Sequence, residues 1–186
     1  MRITNTREMI QVALSAPYPG DTSMAELLAY LTRIQHTQNT GLEKMVMDIQ
    51  LAKIRGAIND QKAPIPAWLH YSYGPDLEVA NKVAQKRLVG RMLAQKLYKL
   101  PIMAKKRDRL ETLCACALED YRMGIFRAQR LPIVVYCELM EVDGKNWTRD
   151  WESYRGKAMA LIESLDAVGV GYVSGVVRQI REAEYA

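Results

Sequence analysis

A threonine and an arginine near the start of a predicted C-terminal helix are the side chains in this chain best suited to chemistry. Thr148 and Arg149 follow a polar break at residues 143–146 and would point outward from the first turn of that helix. An arginine guanidinium can donate two parallel hydrogen bonds to one guanine edge, and a threonine hydroxyl can bond to either base edges or phosphates. The chemistry predicted at this position is therefore the readout of DNA base edges.

These two residues belong to a segment, 133–152, whose pattern predicts a helix-turn-helix. An apolar helix from Val134 to Val142 runs into the polar break, and a second helix begins at Trp147. Cys137 is small at the place where the second helix would cross the first. A glycine usually opens such a turn because it takes a positive φ, whereas this chain has Glu141 there. A plain helical hairpin with its tryptophans in the core is therefore the alternative.

The spacing also predicts which side chains of this segment are buried and which face outward. Tyr136, Met140, Val142 and Trp147 fall at positions that bury against each other and against the preceding helix. Outward positions go to the turn, 143–145, and to the second helix, including Glu152. From these outward positions and the following turn of helix, the predicted DNA contacts are Lys145, Asn146, Thr148, Arg149 and Arg155.

A second group of predicted DNA contacts lies in a basic stretch from Asn81 to Arg109. Its 29 residues hold ten basic side chains against one acid, Asp108, while the whole chain carries a net charge of +5. The rest of the chain is therefore net acidic, and a local concentration of this kind suits a polyanion surface, with a solvated face as the alternative. The predicted phosphate contacts in this stretch are Lys86, Arg87, Arg91, Lys105, Lys106 and Arg107.

Apolar residues at helical spacing recur along the chain, and alternating strand patterns do not. We therefore expect an all-α, multi-helix globular protein with a C-terminal helix-turn-helix-like unit. The prolines at 63–66 suggest a boundary between an N-terminal helical region, 1–62, and a second region, 67–186. Predicted helices run from residue 5 to 14, 21 to 34, 42 to 58, 67 to 73, 77 to 99 and 104 to 127, before the helix-turn-helix and a C-terminal helical part.

The cysteines and histidines do not have the spacing of a metal site. Cys114 and Cys116 are one residue apart, Cys137 stands alone, and His36 and His70 have no thiol or acid close in sequence. We expect buried free thiols, and no metal or cofactor.

The chain also lacks the motifs of the common enzyme classes. It has no nucleotide-binding glycine loop and no serine-hydrolase elbow. Glu119 and Asp120 are adjacent, so on a helix they point apart and do not make a paired-carboxylate site. We expect a protein that is not an enzyme. The N-terminus lacks the apolar core of a signal peptide and no long apolar window stands out, so the expected location is the cytoplasm, with no membrane partner.

Two C-terminal segments resemble a known family. The run RLETLCACALEDYRMG, 109–124, looks like a helix of the lambdoid phage late-gene antitermination proteins, the Q family, and NWTRDWESYRGKAMALIESLDA, 146–167, is similar to C-terminal segments of phage antitermination-like proteins. The resemblance covers about 105–180. It implies a protein that binds double-stranded DNA near a late promoter, and that engages host RNA polymerase and its sigma factor so that the polymerase reads through terminators. Lambda-type members carry a cysteine-rich zinc-binding insertion between these segments, so this chain resembles a zinc-free variant.

The alternative function is a helical interaction protein that binds and inhibits or modulates a host protein without reading DNA. In that case the basic stretch docks onto an acidic partner, and Trp147 and Trp151 are interface anchors or core. The negative charge of Asp143, Asp150 and Glu152 near the supposed DNA face favours this alternative.

Overall fold

The computed structural model describes residues 5–16, 41–75, 79–99 and 104–184, with the side chains of 41–45, 79, 104–105 and 184 excepted. These residues form eight α-helices and one 3-10 turn, and no strand occurs among them, so the predicted all-α class is confirmed. The predicted helix after Asp21 and His36 lie outside the described residues. The helices are α1 Thr6–Ser15, α2 Gly41–Asn59, α3 Ile65–Tyr73, α4 Val79–Leu97, α5 Ala104–Arg127, α6 Ile133–Met140, α7 Trp147–Asp150 and α8 Glu152–Glu184, with the 3-10 turn at Gly144–Asn146.

The chain divides into two compact units. The first consists of Met1–Gln61, Tyr73–Pro75 and Gly169–Ala186, and the second of Lys62–Ser72 and Asp76–Val168. The proline-rich corner at 63–66 adjoins the first junction, and the C-terminal half of α8 is assigned to the first unit. The division of 1–62 from 67–186 stays a prediction.

In the first unit, α1 packs against α2. Asn5 caps α1, because its Oδ1 accepts a hydrogen bond from the Arg7 amide at 3.0 Å and satisfies one of the free donors at the helix start. Ile10 of α1 is fully buried, as are Ile54 and Ile58 of α2. Burial of these apolar faces stabilises the pair, because helices in proteins gain most of their stability from tertiary packing.

The face of α2 that points inward differs from the predicted one. Helical spacing predicts an apolar face with Leu42, Met45, Ile49 and Ala52, widened by Val46, Lys53 and Ile54. Ile54 is buried, but Ile49 is 50% exposed and Ala52 is exposed, whereas Leu51, outside that face, is buried. Arg55 is buried beside Leu51, and its guanidinium donates hydrogen bonds to the backbone carbonyls of Ala13 and Ala16. The last carbonyls of α1 have no partner within that helix, so a buried arginine can satisfy them. This need for donors places a charged residue on the inner face.

In the second unit, α4 and α5 form an antiparallel pair. The ammonium Nζ of Lys86 lies 3.3 Å from Glu119 Oε2 at one end, and the Tyr98 hydroxyl donates to the Arg107 carbonyl at 3.3 Å at the other. Helical spacing predicts one apolar face on each of these helices, and most of each face is buried. The exceptions are Tyr121 and Ile125, predicted for the face of α5, which are half-buried, and Leu100, predicted for the face of α4, which lies outside the described residues. The buried residues are Val89, Leu93 and Leu97 of α4 and Leu110, Leu113, Cys114, Ala117 and Leu118 of α5.

Helix α3 carries the aromatic anchors of the second unit. The i, i+3 spacing of Trp68 and Tyr71 predicts that both anchor in the core, with stacking on a nucleobase as the alternative. Both are buried, which leaves neither ring available for stacking. The Trp68 indole N–H donates to the buried Asp166 carboxylate of α8 at 2.9 Å. This bond satisfies a donor and an acceptor that burial would otherwise leave unpaired.

Helix α8 continues without a break through Gly169 and Gly171, two residues of low helix propensity. By length and composition alone, the stretch Glu152–Ala183 could cross a membrane, a feature that the sequence analysis did not find. Its buried residues, Ala158, Ile162, Val173 and Val177, recur at helical spacing on one stripe. A single buried stripe is typical of a helix that packs into a protein core.

Candidate nucleic-acid interface

The candidate interface is built around α6, whose end is set by an unusual backbone conformation. Glu141 adopts the left-handed region, with φ 54° and ψ 49°, and its amide bonds back to the last turn of α6. The helix therefore ends at Met140, two residues before the predicted end at Val142. The position where a helix-turn-helix usually has glycine does take a positive φ here, although the residue is a glutamate.

The turn after α6 crosses back over Cys137. An added Cβ on Gly144 would lie 3.7 Å from the Cys137 sulfur, an ordinary van der Waals distance, so the turn passes close to this small side chain. The rings of Tyr136 and Trp147 lie 5.4 Å apart, and both residues are buried together with Met140. Tyr136, Met140 and Trp147 are thus buried as their spacing predicts, whereas Val142 is only half-buried.

The second element of the unit is shorter than predicted. Asp143 accepts a hydrogen bond from the Lys145 amide at 2.9 Å and starts the 3-10 turn, which continues into the four residues of α7. Trp151, at φ −129° and ψ −28°, breaks the helix before α8 begins. The candidate readout element, called the readout segment below, is therefore the composite segment Gly144–Trp151. Its identity as a DNA-reading helix stays a prediction.

A buried carboxylate on α5 holds the segment that contains α6 against that helix. Asp120 is fully buried; one of its oxygens accepts from the Leu131 amide at 2.8 Å, and the other accepts from the Tyr136 hydroxyl at 2.9 Å. Arg155 of α8 donates to the same carboxylate at 3.0 Å. Burial raises the pKa of the Tyr136 phenol, and the Asp120 charge raises it further. The loop before α6, α6 itself and α8 thus all donate hydrogen bonds to the same carboxylate of α5.

Arg155 and Glu152 both take part in this network. Arg155 also pairs with Glu152 at 3.0 Å, and Glu152 accepts a hydrogen bond from the Trp147 indole. Only 20% of the Arg155 side chain is exposed. Burial alone would lower the pKa of Arg155, but the bonds to Tyr136 and Asp120 raise it on balance. Glu152, predicted to face outward, has 41% of its side chain exposed, and its carboxylate also holds the Trp147 indole.

At the outer surface, Asp150 is shared by two basic side chains. The Arg149 guanidinium donates through Nε at 3.3 Å and through Nη2 at 3.0 Å, one to each carboxylate oxygen of Asp150. Lys106 Nζ lies 3.1 Å from Asp150 Oδ1 and 3.3 Å from its backbone carbonyl. The hydrogen bonds from Arg149 and then from Lys106 lower the pKa of Asp150 to about 2.

The other predicted DNA contacts fall into three groups. The side chains of Lys145, Asn146 and Thr148 on the readout segment and of Arg87, Arg91 and Arg107 on the basic helices are exposed. Lys86 is partly buried, pairs with Glu119 and lies 6.0 Å above the Tyr71 ring. The side chain of Lys105 lies outside the described residues.

Because α4 and α5 are antiparallel, their basic residues lie at different distances from the readout segment. Lys106 contacts Asp150 directly, and Arg91 lies 3.9 Å from Glu111, which is about one and a half helical turns further along α5. Lys86 is paired with Glu119, about 20 Å from Lys106 along the helix at 1.5 Å per residue. The structure brings Arg149 and Lys106 together and leaves Lys86 at the other end of the hairpin.

The thiols do not form a site for the zinc that lambda-type members hold. All three cysteines are buried and free. Burial raises the pKa of Cys114 to about 12 and raises that of Cys116, which opposes the thiolate form that zinc requires. Among the described residues, no group of three or more His, Cys, Asp or Glu side chains is placed to hold a metal ion. The residues present therefore do not fit zinc.

The role of Asp120 is not among the predictions from the sequence. The signal for it was present, because Leu113, Ala117 and Asp120 follow the spacing of the buried stripe of α5. An acid on such a stripe is almost always paired. The adjacent Glu119 does point away, as predicted, and bonds instead to the Tyr71 hydroxyl, Lys86 and Arg122.

The fold and this surface together define an all-α protein in which exposed basic side chains lie beside a short helix-turn element. Comparison with known families then identifies the family to which this chain belongs. The chain belongs to the phage antitermination protein Q family, whose match spans residues 30–186 and so extends well upstream of the segments that carried the resemblance. No curated protein and no solved structure matches the chain.

Proposed function

We propose that this protein is a transcription antitermination regulator that binds duplex DNA through the segment Gly144–Trp151 and the neighbouring basic residues of α4 and α5. The family supports the antitermination role. The resemblance to lambdoid Q proteins supports host RNA polymerase and its sigma factor as partners, in the host cytoplasm.

One contact supports the DNA-binding surface most strongly. Lys106, from the basic stretch, lies 3.1 Å from Asp150, in the readout segment. Two features predicted separately from the sequence, a basic stretch and a helix-turn element, thus meet at one place in the second unit. A surface that combines phosphate-binding charge with a base-reading element is what sequence-specific DNA binding requires.

The contacts divide by function. Arg107, Arg91 and Lys145 are exposed and supply phosphate contacts, which give affinity without sequence preference. Arg149, whose side chain is 74% exposed, and Thr148 supply base readout. Arg155 serves indirectly, because its bonds to Asp120 and Glu152 hold the readout segment against α5.

Fluorescence anisotropy with a random pool of duplex DNA at two salt concentrations, followed by selection of preferred sequences, tests this proposal. We expect affinity that falls with salt and an enriched motif. Arg107→Ala should weaken binding to all duplexes and reduce the salt slope by about 0.9 for one lost phosphate contact. Arg149→Ala should weaken the selected duplex about tenfold or more and a scrambled duplex much less.

Arg178→Ala is the matched control, because it removes the same charge from an exposed position of α8 in the first unit. It should leave both affinities close to those of the wild type. Absence of duplex binding at low salt would refute the DNA-binding role, and equal losses on selected and scrambled DNA would refute readout by Arg149.

A second candidate function is binding to a host protein without DNA readout. The outer side of α6 exposes Val134 and Leu139, each 59% exposed, and an open groove of about 430 Å³ next to it is bordered by Glu138 and Glu141. An apolar surface with an acidic border suits a partner segment that is apolar and basic. Pulldown from host lysate with Val134→Asp as the comparison tests it, and it becomes the leading candidate if the duplex pool yields no motif.

A further inference from the structure

We propose that Asp150 determines specificity by holding the Arg149 guanidinium so that its outer edge is presented to a guanine. The inference rests on the proposed DNA-binding function. It assigns a role to an acidic residue whose charge, at this position, would otherwise oppose DNA binding.

The hydrogen-bond pattern leaves the reading edge of Arg149 available. Asp150 accepts from Nε and from Nη2, which lie on one side of the guanidinium. A guanidinium has five N–H donors, so the end-on edge formed by Nη1 and Nη2 keeps one donor on each nitrogen. That pair of parallel donors matches the O6 and N7 acceptors of guanine in the major groove. The carboxylate and the base thus bond to different edges of the same group.

Asp150 is itself fixed in position. Lys106 bonds both to its carboxylate and to its backbone carbonyl, and the Lys106 ammonium lies 5.6 Å above the Trp151 ring. Trp151 is buried. The chain of contacts therefore runs from the core through Lys106 and Asp150 to Arg149, and it restricts an otherwise flexible side chain before DNA arrives. Preorganisation of this kind reduces the entropy lost on binding.

The same arrangement removes the electrostatic objection to an acid at this face. Arg149, Asp150 and Lys106 together carry a charge of +1, and the carboxylate stays ionised at neutral pH because its pKa lies near 2. Glu152 is likewise paired, with Arg155. The two acids close to the readout residue therefore add little repulsion towards phosphate.

Asp150→Asn is the test variant, because it keeps the size of the side chain and removes its charge. Wild type and variant are compared on the selected duplex, on the duplex with the guanine read by Arg149 replaced by adenine, and on a scrambled duplex. We expect discrimination between guanine and adenine to fall about three- to tenfold, from the loss of one immobilised side chain. Affinity for the scrambled duplex should hold or rise, because a negative charge has been removed.

Asp143→Asn is the matched control. It removes an exposed acid from the same turn and keeps a good helix cap, but it does not touch Arg149. It should leave the guanine preference unchanged. In parallel, ¹⁵N relaxation of the Arg149 Nε in the free protein should show a restricted side chain in the wild type and a mobile one in Asp150→Asn.

The outcomes separate the two proposals. If the wild type selects no motif, the proposed function fails and this inference fails with it. If a motif is selected and Arg149→Ala loses one guanine, but Asp150→Asn discriminates as well as Asp143→Asn, the DNA-binding function stands and the role of Asp150 is refuted. A mobile Arg149 Nε in the free wild type would also refute it.

Discussion

Two carboxylates set the positions of the candidate site, one in the core and one at the surface. Asp120 receives bonds from Leu131, Tyr136 and Arg155, and Asp150 receives bonds from Arg149 and Lys106. In each case an acid holds groups that come from different segments of the chain. The basic residues that a composition analysis singles out thus depend on acids for their geometry.

Asp120→Ala should destabilise the protein by about 3 kcal/mol. The substitution leaves the Tyr136 hydroxyl and one side of the Arg155 guanidinium without their partner, and breaking a buried ion pair from one side costs about 3–5 kcal/mol. The partial exposure of Arg155 places the loss at the lower end of that range. Urea unfolding followed by circular dichroism measures it.

Glu182→Ala is the control for this substitution, since Glu182 pairs with Arg178 at 4.0 Å where both side chains are at least 70% exposed. An exposed pair of this kind is worth less than about 0.5 kcal/mol. Similar losses in both variants would show that Asp120 contributes no more than a surface acid.

The pH dependence of stability should report the Asp150 cluster. Hydrogen bonds from Arg149 and Lys106 lower the pKa of Asp150 from 3.8 to about 2 in the folded protein. A lowered folded-state pKa means that the ionised group stabilises the fold above about pH 4, and that this contribution is lost as the pH falls towards 2. The difference in unfolding midpoint between wild type and Asp150→Asn should therefore be constant from about pH 8 to 5 and disappear near pH 2. A difference that persists unchanged at pH 2 would contradict the pairing.

Among the elements, α6 and its turn carry a local conformational cost. Glu141 holds a left-handed conformation that disfavours a side chain by about 1–2 kcal/mol. Glu141→Gly should therefore raise the free energy of unfolding by about 1 kcal/mol, measured by urea unfolding. Glu138→Gly, three residues earlier and also exposed, should lower it by about 1 kcal/mol, because there glycine only weakens a regular helix. A loss of stability in Glu141→Gly would mean that the glutamate side chain itself stabilises the turn.

Helix positions and most buried faces follow from the sequence, because apolar periodicity and proline or glycine at the ends determine them. Val89, Leu93 and Leu97 of α4 are buried as expected. The inner face of α2 was not predictable in this way. Its apolar residues wrap around the helix, so the choice between Ile49 and Leu51 depends on what packs against them, and a buried Arg55 is required by carbonyls of another helix.

The sequence predicts several residues of the candidate site, but it does not predict the contacts that join them. The exposed Thr148 and Arg149 and the small Cys137 follow from spacing. The break at Trp151 and the pairing of Asp150 with Lys106 do not, because a tertiary contact between residues 44 apart leaves no local signal. In the sequence alone, the negative charge of Asp150 would be expected to oppose DNA binding. In the structure, Asp150 is paired with Arg149 and Lys106, and the three side chains together are positively charged.

At the scale of the whole molecule, two compact units with separate cores predict separate responses to mutation. Arg55→Ala removes donors from the carbonyls of Ala13 and Ala16 and leaves those buried acceptors unsatisfied, at a cost of about 1–3 kcal/mol. Amide hydrogen exchange should show lost protection in α1 and α2, with α4 and α5 unchanged. Lys53→Ala, an exposed neighbour, is the control and should leave both units as they are.

Uniform loss of protection across all helices in Arg55→Ala would show that the chain unfolds as one cooperative body. Loss confined to α1 and α2 would show that the second unit, which carries the candidate interface, is maintained independently of the first.

The alkylation rates of the buried thiols can report how often different parts of the molecule open. Cys114 is fully enclosed, whereas Cys137 is 8% exposed and lines the groove beside α6. Alkylation of Cys114 therefore requires its unit to open, whereas Cys137 can react after a small local movement of the groove and of the nearby turn at Gly144. Comparing the two labelling rates by mass spectrometry, with and without duplex DNA, would time the opening of the helix-turn element against the opening of the core, using reporters that the sequence already contains.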